Sequence, residues 1–135
     1  MPIRYLLDTN TVSYAIKNDP RSVRDRLKAT PKDIVALSVF TQAELLYGLA
    51  RRPEATRLRR EVEAFLRSFQ ILMWNSQAAV SYSELRAGQE RKGKPLSHED
   101  LMIASHAMSL GLSLVTSDKA FLQVDGLRTE SWTIG

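Results

Sequence analysis

The segment Ile3-Arg4-Tyr5-Leu6-Leu7-Asp8-Thr9-Asn10-Thr11 starts as an apolar run, halts at a carboxylate and turns into a helix. Residues 3–7 have the length and the apolar character of a buried strand. Asp8 to Thr11 carry short polar side chains that turn a chain by bonding its own backbone, so a helix is expected through about Lys17. The same order recurs later: Leu112-Ser113-Leu114-Val115-Thr116 reads as a strand and Asp118 stands just past it. Between them, Ile34-Val35-Ala36-Leu37-Ser38 and Ile71-Leu72-Met73 read as strands, and Trp132-Thr133-Ile134 as an edge strand.

Helices fill the intervals. One is expected after Pro20, which suits the first helical position, and ends before Pro31. The next runs from about Thr41 to Arg51, and another starts at Pro53 and reaches about Phe69, with Leu58, Val62, Phe65, Leu66 and Phe69 at helical spacing. Further helices cover about Ser76–Lys92 and His98–Leu110, the latter ended by Gly111. Strands alternating with helices define an α/β fold with a mainly parallel sheet of four or five strands, covered on both faces.

The 135 residues form one expected domain, 1–135, long enough to bury a core without staples. Without cysteine there are no disulfides and no thiolate zinc sites. The longest apolar stretch, Leu101 to Val115, is broken by His106, serines and Gly111 and falls short of a membrane span. The opening residues show no secretory pattern, so a cytoplasmic protein without membrane contact is expected. A formal charge of +4 favours a polyanionic partner, a solvated basic surface being the alternative.

Four carboxylates carry the functional argument. Asp8 and Asp118 follow strands, while Glu44 and Asp100 fall in the first turn of expected helices, three residues after Thr41 and Ser97. Ligands of open parallel sheets bind beyond the carboxyl ends of the strands. Taken singly, each acid has a plainer reading: Asp8 and Asp118 as caps or turn formers, Glu44 and Asp100 as members of capping boxes. Taken together they say more. Asp8 and Asp118 converge if the first and fourth strands are neighbours. Asp100 precedes Ile103, Ala104 and Ala107 at helical spacing, so it tops the apolar stripe and faces the sheet. Carboxylates crowded together repel unless they are protonated or share a cation. Oxygen donors without cysteine or a suitable histidine pair select Mg2+ or Mn2+ over zinc. His98 and His106 lie on different faces of one helix; His98 is expected exposed, His106 satisfied or at the surface, and neither a ligand.

At this point the chain resembles the PIN-domain ribonucleases, and more closely the VapC toxins of bacterial toxin–antitoxin pairs. The resemblance spans nearly the whole chain. It rests on Leu6-Leu7-Asp8-Thr9-Asn10, on Thr41-Gln42-Ala43-Glu44-Leu45 with Tyr47-Gly48, and on Gly93-Lys94-Pro95-Leu96. It continues through Asp100-Leu101-Met102-Ile103-Ala104 with His106-Ala107, Leu114-Val115-Thr116-Ser117-Asp118 with Phe121, and Gly126-Leu127-Arg128 before Trp132. It implies an α/β/α sandwich and Mg2+-dependent endonucleolytic cleavage of RNA, with Mn2+ as a substitute and with 5′-phosphate and 3′-hydroxyl products. By the same resemblance Asp8 and Asp100 are the principal metal ligands, and Glu44 completes the pocket partly through water. The fourth acidic position falls on Asp118, where many VapC chains carry Asn. Thr9 and Thr116 stand where small hydroxyl residues support the site, and Asn10 where it would orient Asp8; ordinary turn hydrogen bonding is the alternative for all three. A cognate VapB-type antitoxin, homodimerisation, and DNA binding only through the antitoxin complex are implied as well.

The chemistry such a site supports is phosphodiester hydrolysis by water, with one or two ions left open. Arg86, Arg91, Lys92 and Lys94 precede the Asp100 helix and are candidates to guide an RNA backbone, a solvated helix face being the alternative. Arg51, Arg52, Arg57, Arg59 and Arg60 lie on the helix pair 41–69, which in VapC-like proteins helps form the antitoxin groove. Leu45, Leu46, Leu49 and Phe65 either line that groove or belong to the core. With 7% aromatic residues, a folded RNA such as tRNA, read by shape, fits better than a strand stacked on an aromatic platform.

Two other classes, a phosphotransfer enzyme and a non-catalytic module, fit the pattern less well. A haloacid-type phosphotransfer enzyme needs a second Asp two residues after the first, where Asn10 stands. A receiver domain needs an acidic pair near the end of the first strand and an Asp after the third, where Trp74-Asn75 follows instead. A non-catalytic nucleic-acid- or antitoxin-binding module would not need all four acids.

Overall fold

Five short strands make one all-parallel sheet in the computed structural model, which describes residues 2–133. They are β1 (Tyr5–Leu7), β2 (Val35–Ser38), β3 (Gln70–Leu72), β4 (Ser113–Val115) and β5 (Thr129–Glu130), in the order β3-β2-β1-β4-β5. Successive strand residues point to opposite faces, and the core divides accordingly. Tyr5, Leu7, Val35, Leu37 and Val115 pack with α1 (Thr9–Lys17), α2 (Arg21–Lys28), α3 (Val39–Ala50) and α4 (Thr56–Ser68), through Val12, Val23, Leu45 and Val62. Leu6, Ala36 and Leu114 pack on the other face with α5 (Ser76–Arg91) and α6 (His98–Leu110), through Leu85, Leu101 and Ala104. The result is the expected three-layer sandwich. Leu6, Leu7, Leu37 and Leu114 are fully buried, each worth about 2 kcal/mol of transfer free energy.

The elements differ from expectation at their ends, and one difference matters for the site. Ser38, the last residue of β2, is also the N-cap of α3 and accepts the Phe40 N–H at 3.0 Å. The helix therefore begins at Val39. Thr41 is buried inside its first turn, not at its cap, and Glu44 falls in the second turn. The capping-box reading of Glu44 fails because a better cap stands three residues earlier. Similarly, α4 starts at Thr56 and not at Pro53, because Arg52–Ala55 form the reversal that brings α4 back along α3. Pro20 precedes α2 as its N-cap residue. The edge strand is Thr129–Glu130. Trp132 lies beyond it, its ring 5.5 Å from that of Tyr5 and its indole N–H donated to Glu130, and Ile134 falls outside the described residues.

Candidate active site

Strand order brings the first two acids together. Leu7 on β1 stands opposite Val115 on β4, and the Asp8 N–H extends that pairing by donating to the Val115 carbonyl at 3.0 Å. Asp8 is buried and serves as the N-cap of α1, its Oδ1 accepting the Thr11 N–H at 2.8 Å. Past β4, Thr116 Oγ1 accepts the Asp118 N–H at 3.1 Å, and Asp118 Oδ1 accepts the Ala120 N–H at 2.9 Å. Asp100 enters from the first turn of α6, its N–H held by the Ser97 hydroxyl at 3.1 Å. Glu44 reaches in from α3, where its Oε1 accepts the Thr9 hydroxyl at 2.5 Å.

All four carboxylates line one pocket of about 120 Å3 with Thr9, Asn10, Glu99, Ile103 and Phe121. One oxygen each of Asp8, Asp118 and Glu44 accepts from Thr11, Ala120 and Thr9. Among the described residues no three acidic or histidine side chains are set to grip a single ion. The pocket gathers the acids; the hydrogen bonds fix where each one points.

Electrostatics make the pocket a poor place for bare anions. Burial pushes the Asp8 carboxyl above the ordinary range; bonds from Thr11 and Thr116 oppose the rise and the charge of Asp118 adds to it. Asp100 is also raised, first by burial and then by Asp118, with the Ser97 bond opposing and Asp8 and Glu99 adding. Groups whose proton affinity is raised by their neighbours' charge favour a cation in the proton's place. Hard oxygen donors in a small polar pocket fit Mg2+ or Mn2+.

Other residues singled out from the sequence fall differently. Thr116 accepts the Asp118 backbone N–H, an ordinary turn bond, and also bonds the Asp8 carboxylate. Asn10 is exposed at the pocket and forms no hydrogen bond with Asp8, whose carboxylate Thr11 orients instead. None of Arg86, Arg91, Lys92 and Lys94 lines the acidic pocket. Arg86 pairs with Glu90 and donates to the Tyr82 hydroxyl, while Lys92 pairs with Asp125. His98 is exposed, and His106 is buried between Ser38 and the Met73 carbonyl, so neither histidine lines the pocket.

A much larger concavity lies elsewhere, a cleft of about 1080 Å3 between α1–α2 and α4. Phe65 lines it and Leu45 and Leu49 do not, because those two face the sheet from α3 and are buried there. Leu46 is exposed outside that cleft. The sequence reading missed Glu99, a fifth acid at the pocket whose only signal was its place beside Asp100. It also missed Thr11 and Thr41, whose partners are set by packing.

A family model for the PIN domain matches residues 5–127, and the chain belongs to that family. Within it, the chain belongs with the VapC nucleases. It is 36% identical over 131 residues to the tRNA(fMet)-specific endonuclease VapC of Salmonella typhimurium, covering 96% of this chain and 98% of that protein. The DNA-bound VapBC structure from Salmonella typhimurium superposes with a TM-score of 0.89 at 36% identity, over 96% of this chain and 98% of that one. VapBC2 of Rickettsia felis, bound to a DNA fragment from its promoter, matches at a TM-score of 0.88 and 32% identity, over 98% and 99%. No helix among the described residues is long and apolar enough to cross a membrane.

Proposed function

We propose that this chain is the toxin of a VapBC-type toxin–antitoxin pair, a Mg2+-dependent endoribonuclease acting on a structured RNA such as tRNA in the cytoplasm. The observation that carries the reading is the convergence of Asp8, Glu44, Asp100 and Asp118, from four separate stretches of chain, on one small pocket at the carboxyl ends of the strands. The Salmonella relative is a tRNA(fMet)-specific endonuclease, which supports tRNA as the substrate class.

Asp8 and Asp100 would hold the cation, with Glu44 completing the pocket and Asp118 facing them from beyond β4. When bound, Mg2+ lowers the pKa of water and offsets charge on a phosphoryl oxygen. The chain supplies orientation. Thr11 and Thr116 fix the Asp8 carboxylate, Ser97 fixes the backbone at Asp100, and Thr9 fixes Glu44. Water is the nucleophile, and the bond from phosphorus to the 3′ oxygen breaks, leaving a 5′-phosphate and a 3′-hydroxyl.

The large cleft suits the antitoxin. Its lining includes Ile16, Leu27, Leu58 and Phe65, and Arg24, Lys28 and Lys32 outnumber Glu54 there, Arg57 being paired with Glu61. An amphipathic segment with acidic residues would bury its apolar face there and meet opposite charge at the rim. Exposed Leu46 and Tyr47 on α3 offer apolar surface for a second copy of the chain. Contact with DNA would come through the antitoxin complex, in line with the DNA-bound Salmonella and Rickettsia VapBC assemblies.

The test is cleavage of total bacterial tRNA by purified protein with Mg2+ and with EDTA, beside Asp8→Asn and Asp100→Ala. Cleavage should need the cation and fall about 100-fold or more in either variant while circular dichroism stays unchanged. Variants that cut as fast as the parent would overturn the assignment.

A further inference from the structure

A buried amide is costly unless it is hydrogen-bonded, and Gln89 on α5 is only 3% exposed. Its Nε2 donates to the Lys94 carbonyl at 3.0 Å and to the Gln123 carbonyl at 3.4 Å, the second bond being the weaker. The amide nitrogen carries two protons and a carbonyl only accepts, so the two bonds do not compete. Each is reinforced from α5. The Gln89 carbonyl accepts the Lys94 N–H at 2.9 Å, and Lys92 Nζ donates to the Gln123 carbonyl at 3.2 Å.

The two carbonyls lie on different stretches of chain, and each stretch leads to an acid of the pocket. Lys94 opens the path through Pro95 and Leu96 to Ser97, the N-cap whose hydroxyl holds the Asp100 N–H. Gln123 closes the short 3-10 helix Lys119–Gln123, whose N-cap is Asp118 and whose Phe121 is buried at the pocket. Both paths are short and stiff. Pro95 has a fixed φ and Leu96 packs on the core, while the second path is braced by bonds from Phe121 to Asp118 and from Val124 to Phe121. The acids at their ends are close enough that the charge of Asp118 acts on Asp100.

We infer that Gln89 is a positioning residue: by holding the Lys94 and Gln123 carbonyls to α5 it sets the spacing of Asp100 and Asp118 across the pocket. That spacing governs how tightly the two acids take a cation, because a site loosened behind its ligands loses both affinity and rate. Gln89 stands behind the pocket lining, to which α5 lends no side chain. The inference rests on the nuclease reading above and adds to it a residue that acts at one remove.

The experiment compares the parent with Gln89→Met, Gln89→Asn and Val23→Ala. Methionine nearly keeps the volume of glutamine and removes both protons; asparagine keeps the amide on a shorter side chain. Val23→Ala truncates a core residue outside the pocket and controls for lost stability. Hydrogen exchange is followed on metal-free protein, Mn2+ affinity by calorimetry on RNA-free protein, cleavage of total tRNA by kcat and KM, and folding by thermal melting. In Gln89→Met the amides of residues 96–101 and 118–124 should exchange about tenfold faster, with those of β1 unchanged. Mn2+ binding should weaken and kcat fall, each about fivefold, with KM for RNA little changed. Gln89→Asn should lose in the same direction, and Val23→Ala should melt lower while keeping the parent's Mn2+ affinity and kcat. A Gln89→Met protein that binds Mn2+ and cuts like the parent, or whose losses Val23→Ala reproduces, would overturn the inference while leaving the nuclease reading intact. Should Gln89→Met not fold, Gln89→Asn is judged by the same two outcomes. A parent that neither binds Mn2+ nor cuts RNA would overturn both.

Discussion

Asp8 shows how a single side chain can oppose the stability of its own fold. Its carboxyl is raised mainly by burial, so the folded state favours the protonated form more than the unfolded chain does. Such a group costs stability as pH rises from the unfolded carboxylate range through its folded value, and the cost persists at neutral pH. Asparagine caps a helix as well as aspartate and carries no charge. In metal-free protein at pH 7, Asp8→Asn should therefore raise stability by about 1 kcal/mol, roughly 3 °C in Tm, measured by calorimetry. That gain should shrink as pH falls towards 4; a Tm below the parent's at pH 7 would contradict the electrostatic account. Asp8 was legible in the sequence because it follows an apolar run. Thr11, which orients it, and Thr41, which accepts the Thr9 hydroxyl beside Glu44, were not. Their partners lie on other elements or depend on where a helix begins, and neither is marked by periodicity.

The start of α3 shows what element-level reading gained and lost. The sequence marked a strand and then a helix, but Ser38 ends one and caps the other, which moved Glu44 one turn along. What holds that junction comes from α6. His106 Nε2 faces the Met73 carbonyl at 3.1 Å, an acceptor only, so this nitrogen carries the proton. Nδ1 then accepts the Ser38 hydroxyl at 2.8 Å, while Ser38 Oγ accepts the Phe40 N–H. One imidazole thus ties α6 to the end of β2 and to the stretch after β3, linking the helix of Asp100 to that of Glu44. His106→Ala should lose about 2–3 kcal/mol of stability in urea denaturation, from two lost bonds and a cavity. Burial lowers the His106 pKa, so its contribution is fully present above pH 6.5 and lost as pH falls through the lowered folded value. A stability equal to the parent's would show that the junction does not depend on this residue. The bond to Ser38 spans 68 positions in the chain, and nothing local announces it.

Across the whole molecule, the legible part was topology. Alternating strands and helices implied a parallel sheet, and placing β1 beside β4 turned two strand-end acids into neighbours. The part that could not be read was the distribution of concave surface. The acids occupy a pocket of about 120 Å3, whereas the cleft of about 1080 Å3 lies between α1–α2 and α4. Helix rotation decides such features: α3 turns Leu45 and Leu49 into the core, whereas α4 leaves Phe65 at the cleft. On the proposed reading the two surfaces have two tasks, phosphodiester chemistry at the acidic pocket and a restraining partner at the cleft. The first depends on a cation being held between Asp8 and Asp100. Titrating Mn2+ into RNA-free protein by calorimetry, for the parent, Asp8→Asn and Asp100→Asn, tests that directly. We expect saturable binding by the parent and at least about tenfold weaker binding by each variant. Equal affinity in all three proteins would contradict it.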